Sequence, residues 1–393
     1  MLPGACVLLM AAVCGVARAD SNDTELRDAV TGTSIDLFKA VSAGGVENLV
    51  LAPIGVNILL ALLEQGAAGQ SALQLRSALR LERPQLKEGY GGLSEDLQKS
   101  GSQDVQLEVA NRVFVDKDFP VQPDFLEVAA RDFGSGVENI TSEGGGDAIN
   151  AWVARATHDK ITNIVEPVLP VGTVMVLANA IYFKSPWLNP FNKFYTHDNT
   201  FRVNPTKNVT VPLMFQQDYF QTGSNEDLNC KWVELYFKGE NYSLLVILPN
   251  EQFGLADLLA RLAPSDVTKM LHEGAKKGVS LYLPRFSLAT KTKLVPALKQ
   301  LGITEVFEAG RSDLSGISSE PLSVSDVLQK ATMEIDEEGG VASAAAVGQI
   351  VALSAPVFLD LQEIRVDHPF IAIIVDRIRE VPLFISTIVD PST

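Results

Sequence analysis

At 393 residues, with 46% hydrophobic and 20% charged side chains, the chain has ordinary globular composition and enough length for a large core. Its 32 Lys and Arg against 48 Asp and Glu give a net charge of −16, and the scattered basic residues leave nucleic acid or heparin binding without an electrostatic footprint. Of the 3 cysteines, Cys6 and Cys14 fall in an N-terminal apolar stretch, so a disulfide framework is excluded.

Ala5 to Val16 is apolar, and Ala17-Arg18-Ala19 closes the run with small residues around a variable one. This pattern reads as a secretory signal over residues 1–19 with a cut before Asp20, although its n-region has no Lys or Arg. The run is too short to span a bilayer, and no later segment matches it. The mature part, 20–393, is expected to be one soluble, secreted, monomeric domain with no membrane contact. Removing Arg18 leaves 31 basic against 48 acidic residues, or −17. Cys230 is then the single cysteine, expected to pack as a small buried hydrophobe. Asn22, Asn139, Asn208 and Asn241 are glycosylation sequons; Pro205 disqualifies Asn204.

Periodicity predicts a helix over Thr24 to Val41, a short strand before Ala52-Pro53, and a helix from Ile54 to Gln65 that is apolar nearly all round. Helices follow over Gln70 to Leu81 and Pro84 to Leu97, then a strand over Val105 to Val115. Ser142 to Gly146 is a glycine-rich joint without the Lys-Ser/Thr of a phosphate loop. A helix is predicted from Asp147 to Ile161, and a strand covered on both faces from Thr173 to Phe183. Lys231 to Phe237 and Tyr242 to Leu248 read as a strand pair turned at Lys238 to Asn241. Leu255 to Leu271 supplies helices, Val279 to Leu288 a strand, and Val295 to Leu301 a helix stopped by Gly302. Leu322 to Ile335, Ile364 to Val375 and Val381 to Val389 complete the strands. Helices dominate the first part and strands the second, which indicates an α+β class in a single domain.

The most informative stretch is Glu337 to Pro356, EEGGVASAAAVGQIVALSAP, uncharged from Gly339 onward. Gly340, Ala342, Ala344, Ala346 and Gly348 are minimal in size, while Val341, Ser343, Ala345, Val347 and Gln349 alternate with them. With a period of two, the small set shares one face, so the segment could enter an existing sheet without clashing with the layer below. Taken alone, the stretch also fits a low-complexity surface loop.

The run Lys330-Ala331 … Asp336-Glu337-Glu338-Gly339 followed by small residues resembles the hinge and reactive-centre loop of the serpins. The resemblance extends from about Asp20 to the C terminus through Asn48 with Pro53, Asn111-Arg-Val-Phe114, Asn150-x-Trp152-Val153, Asn179-Ala-Ile-Tyr-Phe-Lys184 with Trp187, Val211-Pro-x-Met214, Pro284-Arg285-Phe286, His368-Pro-Phe370 and Pro382-Leu-Phe384. It implies three β-sheets, eight to nine helices and an exposed loop at about 338–357. Counting the hinge glutamate Glu337 as the first residue, the seventeenth is Leu353, so the implied scissile bond is Leu353–Ser354. The hinge comprises Glu337, Glu338, Gly339, Gly340, Val341, Ala342, Ser343, Ala344, Ala345 and Ala346.

The resemblance also implies a Glu337–Arg285 ion pair at the hinge, and places Ala52, Pro53, Gly55, Asn179, Trp187 and Gln329 where the sheet opens. Ala52 and Gly55 stand where the family usually has serines, and Gln329 where it usually has a histidine. Gly340 replaces a usual Thr, Ser or Val, and Val341 a usual glutamate. Glutamine both donates and accepts, so a modified gate is expected. Glycine costs more entropy when ordered into a strand.

The implied function is suicide inhibition of a serine protease of chymotrypsin, chymase or cathepsin G type, with covalent capture after cleavage at Leu353. Elastases could also cut after Val351 or Ala352. Trypsin-like enzymes are disfavoured, since no Arg or Lys lies between Lys330 and Arg365. The competing reading is a non-inhibitory serpin acting as carrier, chaperone or binding protein. No enzyme active site, cofactor or metal is expected: His158, His197, His272 and His368 lie in no metal-binding spacing, and there is no Gly-x-Ser-x-Gly elbow.

Overall fold

Apolar spacing builds the helical half. The computed structural model describes residues 6–100, 105–339 and 361–393, with side chains from Asp23 onward. Helix α1 (Cys6–Ser42) leads through β1 (Leu49–Leu51) into α2 (Pro53–Gln65). Pro53 suits the first helical turn, where its missing N–H costs nothing. From Pro53 to Glu64 every residue of α2 is buried, as expected for a helix without a polar face. Next come α3 (Gly69–Leu79) and the run α4 (Arg83–Gln85), a π turn (Leu86–Tyr90) and α5 (Gly91–Lys99). The remaining helices are α6 (Pro123–Asp132), α7 (Gly145–Ala156), α8 (Leu255–Arg261), α9 (Pro264–Glu273) and α10 (Val295–Gln300). With the continuous α4–π–α5 run counted once, nine helices occur among the described residues.

The strands are β2 (Gln106–Asp116), β3 (Gly136–Ile140), β4 (Met175–Lys184), β5 (His197–Asn204), β6 (Lys207–Asn225), β7 (Cys230–Tyr236), β8 (Tyr242–Pro249), β9 (Ala275–Pro284), β10 (Phe286–Lys293), β11 (Asp326–Ile335), β12 (Gln362–Arg365), β13 (Phe370–Asp376) and β14 (Val381–Ile388). One sheet has five strands in the order β10-β11-β4-β2-β3. The other has nine, ordered β1-β14-β13-β8-β7-β6-β9-β12, with β5 added to β6. The third sheet implied by the resemblance is the β5-β6-β9-β12 lobe. It counts with the larger sheet because the 19-residue β6 runs unbroken from its pairing with β5 and β9 into its pairing with β7.

Three elements differ from the sequence reading. The single strand expected over 279–288 is two strands in different sheets, cornered at Arg285, whose N–H donates to the Pro212 carbonyl at 2.9 Å. Pro284 has no N–H to continue the ladder, yet the apolar alternation passes straight through it. Ile364 to Val375 is likewise split between β12 and β13. Helix α7 ends at Ala156 instead of Ile161. There the Thr157 hydroxyl accepts from the Ile161 N–H, and His158 and Asp159 turn left-handed. Strands β3 and β5, the N-terminal length of β6 and helix α6 were not read from the sequence.

The interior forms one main core and a separate one beneath α7, where Trp152 and Val153 meet Phe114, Val176 and Leu328 on the outer face of the five-stranded sheet. Cys230 is fully buried, and burial pushes its thiol up to about 11. A thiol-reactive dye at pH 8 should therefore leave Cys230 unlabelled in the native protein and label it in denaturant; rapid native labelling of Cys230 would contradict the packing.

Candidate functional site: the seam between β4 and β11

Strand β11 lies parallel to β4, in register from Asp326 opposite Val176 to Met333 opposite Phe183, and antiparallel to β10 on its other side. The chain leaves β11 at Ile335 and enters the hinge, Asp336 to Gly339. Here the segment after β4 clasps it. The Trp187 indole N–H donates to the Asp336 carbonyl at 2.8 Å, the Trp187 backbone N–H to the Glu338 carbonyl at 3.0 Å, and the Phe191 N–H to the Glu337 carbonyl at 2.8 Å. Gly339 adopts φ +94°, and a Cβ there would collide with the Ser185 carbonyl and the Trp187 backbone. Only glycine fits this turn.

Trp187 is fixed in turn by stacking on Phe237, with centroids 4.4 Å apart and planes 8° apart, and by edge contact with Phe191. Lys193 pairs with Glu338 at 2.6 Å. The expected Glu337–Arg285 pair is present but loose: Arg285 Nη1 lies 3.8 Å from the Glu337 carboxylate, with the Arg285 side chain 50% exposed and that of Glu337 5% exposed. Exposure of the cation holds its contribution to at most about 1 kcal/mol. The clasp is therefore chiefly backbone and indole. Trp187→Phe, which keeps the stack and removes the indole donor, should lower stability by about 1–2 kcal/mol in urea unfolding. An unchanged midpoint would assign the clasp to backbone contacts alone.

Half-way along the seam, β11, β4 and β2 present Gln329, Asn179 and Asn111 at matching register positions. Gln329 faces the start of α2 and makes a two-point pairing with Ala52. Its Oε1 accepts from the Ala52 N–H at 2.8 Å, while its Nε2 donates to the Ala52 carbonyl at 2.7 Å. Nε2 also donates to Asn179 Oδ1 at 2.6 Å, and Asn179 Nδ2 donates to Asn111 Oδ1 at 2.7 Å. Gln329 and Asn179 are fully buried.

Gly55 provides the space for this row, because a Cβ on it would overlap the Asn179 carboxamide. The departures at Ala52, Gly55 and Gln329 thus fit together as one rebuilt network, with Pro53 starting the helix beside it. Asn111 belongs to the network and was missed as a site residue. Its place in the Asn-Arg-Val-Phe motif was visible, but only strand register brings it to Asn179.

The hinge positions Gly340, Val341, Ala342, Ser343, Ala344, Ala345 and Ala346 and the bond Leu353–Ser354 lie outside the described residues, as does the side chain of Asn22. Asn139 on β3, Asn208 on β6 and Asn241 in the β7–β8 turn are solvent-exposed.

The family model for Serpin (serine protease inhibitor) matches residues 28–391. The chain belongs to the serpin family. It is 33% identical to Iripin-8 of Ixodes ricinus over 352 residues, covering 86% of this chain and 87% of that protein. It is 31% identical to the leukocyte elastase inhibitor of Equus caballus over 366 residues, covering 88% and 94%. Among solved structures, Serpin48 of the insect Tenebrio molitor superposes with a TM-score of 0.82 at 30% identity, covering 94% of this chain and 98% of that one. In this serpin the hinge leaves the five-stranded sheet at the end of β11, and the clasp and the buried amide row lie at the top and middle of the β4–β11 seam.

Proposed function

We propose that this serpin is a secreted suicide substrate of serine proteases with chymotrypsin-like or elastase-like preference. The protease serine attacks the Leu353 carbonyl carbon, the peptide bond to Ser354 breaks, and the amine of Ser354 leaves with a proton from the protease histidine. The loop carboxyl group is then an ester on the protease. Gly340 to Leu353, freed at one end, enters between β4 and β11 as an antiparallel strand and carries the acylated protease with it.

The observation that carries this reading is the uninterrupted parallel seam from Asp326 to Met333, beginning directly below the hinge. A parallel pair is slightly weaker per residue than an antiparallel one. One entering strand replaces that single ladder with two antiparallel ladders. The small face at Gly340, Ala342, Ala344 and Ala346 suits a strand that parts Gln329 from Asn179 and faces the closely packed layer below. Leu353 suits an apolar primary pocket, and exposure of Asn139, Asn208 and Asn241 is consistent with the secretory reading of residues 1–19.

Incubation with chymotrypsin or pancreatic elastase should give a covalent complex that survives SDS. Leu353→Arg should transfer capture to trypsin and slow capture by chymotrypsin at least about tenfold. Clean nicking of the wild-type loop with release of active protease would overturn the inhibitor reading and favour a carrier.

A further inference from the structure

At the end of the seam remote from the hinge, a cavity of about 550 Å³ opens between the segment 164–173 and strands β10 and β11. That size lies within the range of small-molecule sites. Its floor is apolar and buried, made by Ile164, Leu169, Val176 and Leu328 from the core beneath α7. Val168 and Val171 form a lip and stand 64% and 98% exposed.

An unusual charge pattern lies at the rim, where Lys291 lines the cavity and Lys330 stands just outside the lining. Lys291 and Lys330 are directly opposed across the β10–β11 ladder, and like charges in that position destabilise a sheet. Lys330 Nζ donates only to neutral acceptors, the Asn163 carbonyl and Oδ1, each at 3.0 Å. Burial and then Lys291 lower its pKa. Among the described residues neither lysine is in an ion pair within 4 Å. Asp326 and Glu166 also line the cavity with Lys291 and Lys293, but Lys293 faces Asp326 at 3.6 Å and offsets it. Lys330 then tips the local balance to positive, in a chain whose net charge is −16.

We propose that this cavity binds a fatty carboxylate, with the alkyl chain along the apolar floor and the head group at Lys291, on the side facing Lys330. A single negative head relieves the opposed lysines, and an unbranched tail matches the apolar floor, the Thr173 and Ser325 hydroxyls of the lining being engaged with backbone groups. The occupant touches both the segment 164–173, which covers β4, and β10–β11, so it fastens that cover across the seam. Resting on the inhibitor reading, this fastening slows strand entry and diverts the cleaved serpin toward simple hydrolysis.

The test uses the intact full chain and a dansylated undecanoate as fluorescent probe. Saturable binding of one probe per chain is expected, displaced by dodecanoate and not by dodecyltrimethylammonium. Each methylene removed between dodecanoate and octanoate should weaken displacement by up to about fourfold. Lys291→Glu with Lys293→Glu, and independently Val171→Asp, should weaken binding at least about tenfold while thermal midpoints stay unchanged; all three positions are exposed. Equal binding by wild type and both variants, equal displacement by the cation, or association only with anionic vesicles would overturn the site. With chymotrypsin, saturating dodecanoate should at least double the amount of serpin consumed per protease inactivated. Unchanged consumption with binding intact would remove the fastening and leave the site. Absence of any SDS-stable complex without fatty acid would instead count against the inhibitor reading, and the binding arm would stand.

Discussion

Cutting the loop at Leu353–Ser354 is expected to raise the thermal midpoint of the protein by at least about 10 °C over the intact chain. The intact seam has a single parallel ladder from Asp326–Val176 to Met333–Phe183. A sixth strand inserted between β4 and β11 adds hydrogen bonds worth roughly 1 kcal/mol each net and removes aliphatic surface from water at about 25 cal/mol per Å². Ordering the segment opposes this at about 1–2 kcal/mol per residue for backbone alone, with little side-chain cost for Gly and Ala. At about 2 °C per kcal/mol for a large domain, a rise of about 10 °C corresponds to a net gain of roughly 5 kcal/mol. Differential scanning calorimetry of intact and nicked protein measures it. Coincident transitions would mean that the nicked segment gains nothing from the sheet, and strand entry would be lost as a mechanism.

The second large effect lies in the amide row. Gln329→Ala strands the Ala52 N–H, the Ala52 carbonyl and Asn179 Oδ1, all of which Gln329 serves in a fully buried setting. At about 1–3 kcal/mol for each unsatisfied buried group, partly recovered by any water that enters, the expected loss is about 3–6 kcal/mol in urea unfolding. Gly55→Ser should cost about 3 kcal/mol or more, although serine is the residue the family resemblance leads one to expect there. Its Cβ would overlap the Asn179 carboxamide, which cannot swing aside without breaking its bonds at 2.6 Å to Gln329 and 2.7 Å to Asn111. Because the two positions share Asn179, Gly55→Ser with Gln329→His should be milder than the sum of the single changes by at least about 1 kcal/mol. Strict additivity would show that the two departures are independent.

Periodicity revealed much of this architecture because burial follows it. The apolar circumference of α2, the two-sided burial of β4 and the β7–β8 turn were all legible from residue spacing. The breaks were not. Alternation continues through Pro284-Arg285-Phe286 while the chain changes sheets, so the corner at Arg285 leaves no trace in hydrophobicity. Thr157 is compatible with a helix, and only its hydroxyl accepting from Ile161 shows that α7 has ended. Glu337, Arg285, Asn179, Trp187 and Gln329 were found through their places in motifs. What they do depends on register and distance: the ion pair is long, whereas the Trp187 indole and its backbone N–H carry the clasp. Gly55 was visible as a departure. Its reason, room for a carboxamide, required the position of Asn179.

The separate core beneath α7 has a mechanical consequence. Because Trp152 and Val153 pack into their own cluster apart from the main interior, the helix and the covering stretch behind it form a unit that can loosen while the principal core stays intact. On the proposed mechanism, a guest strand would pass beneath this unit without global unfolding. Amide exchange in α7 should accordingly outpace that in α2 in the resting protein.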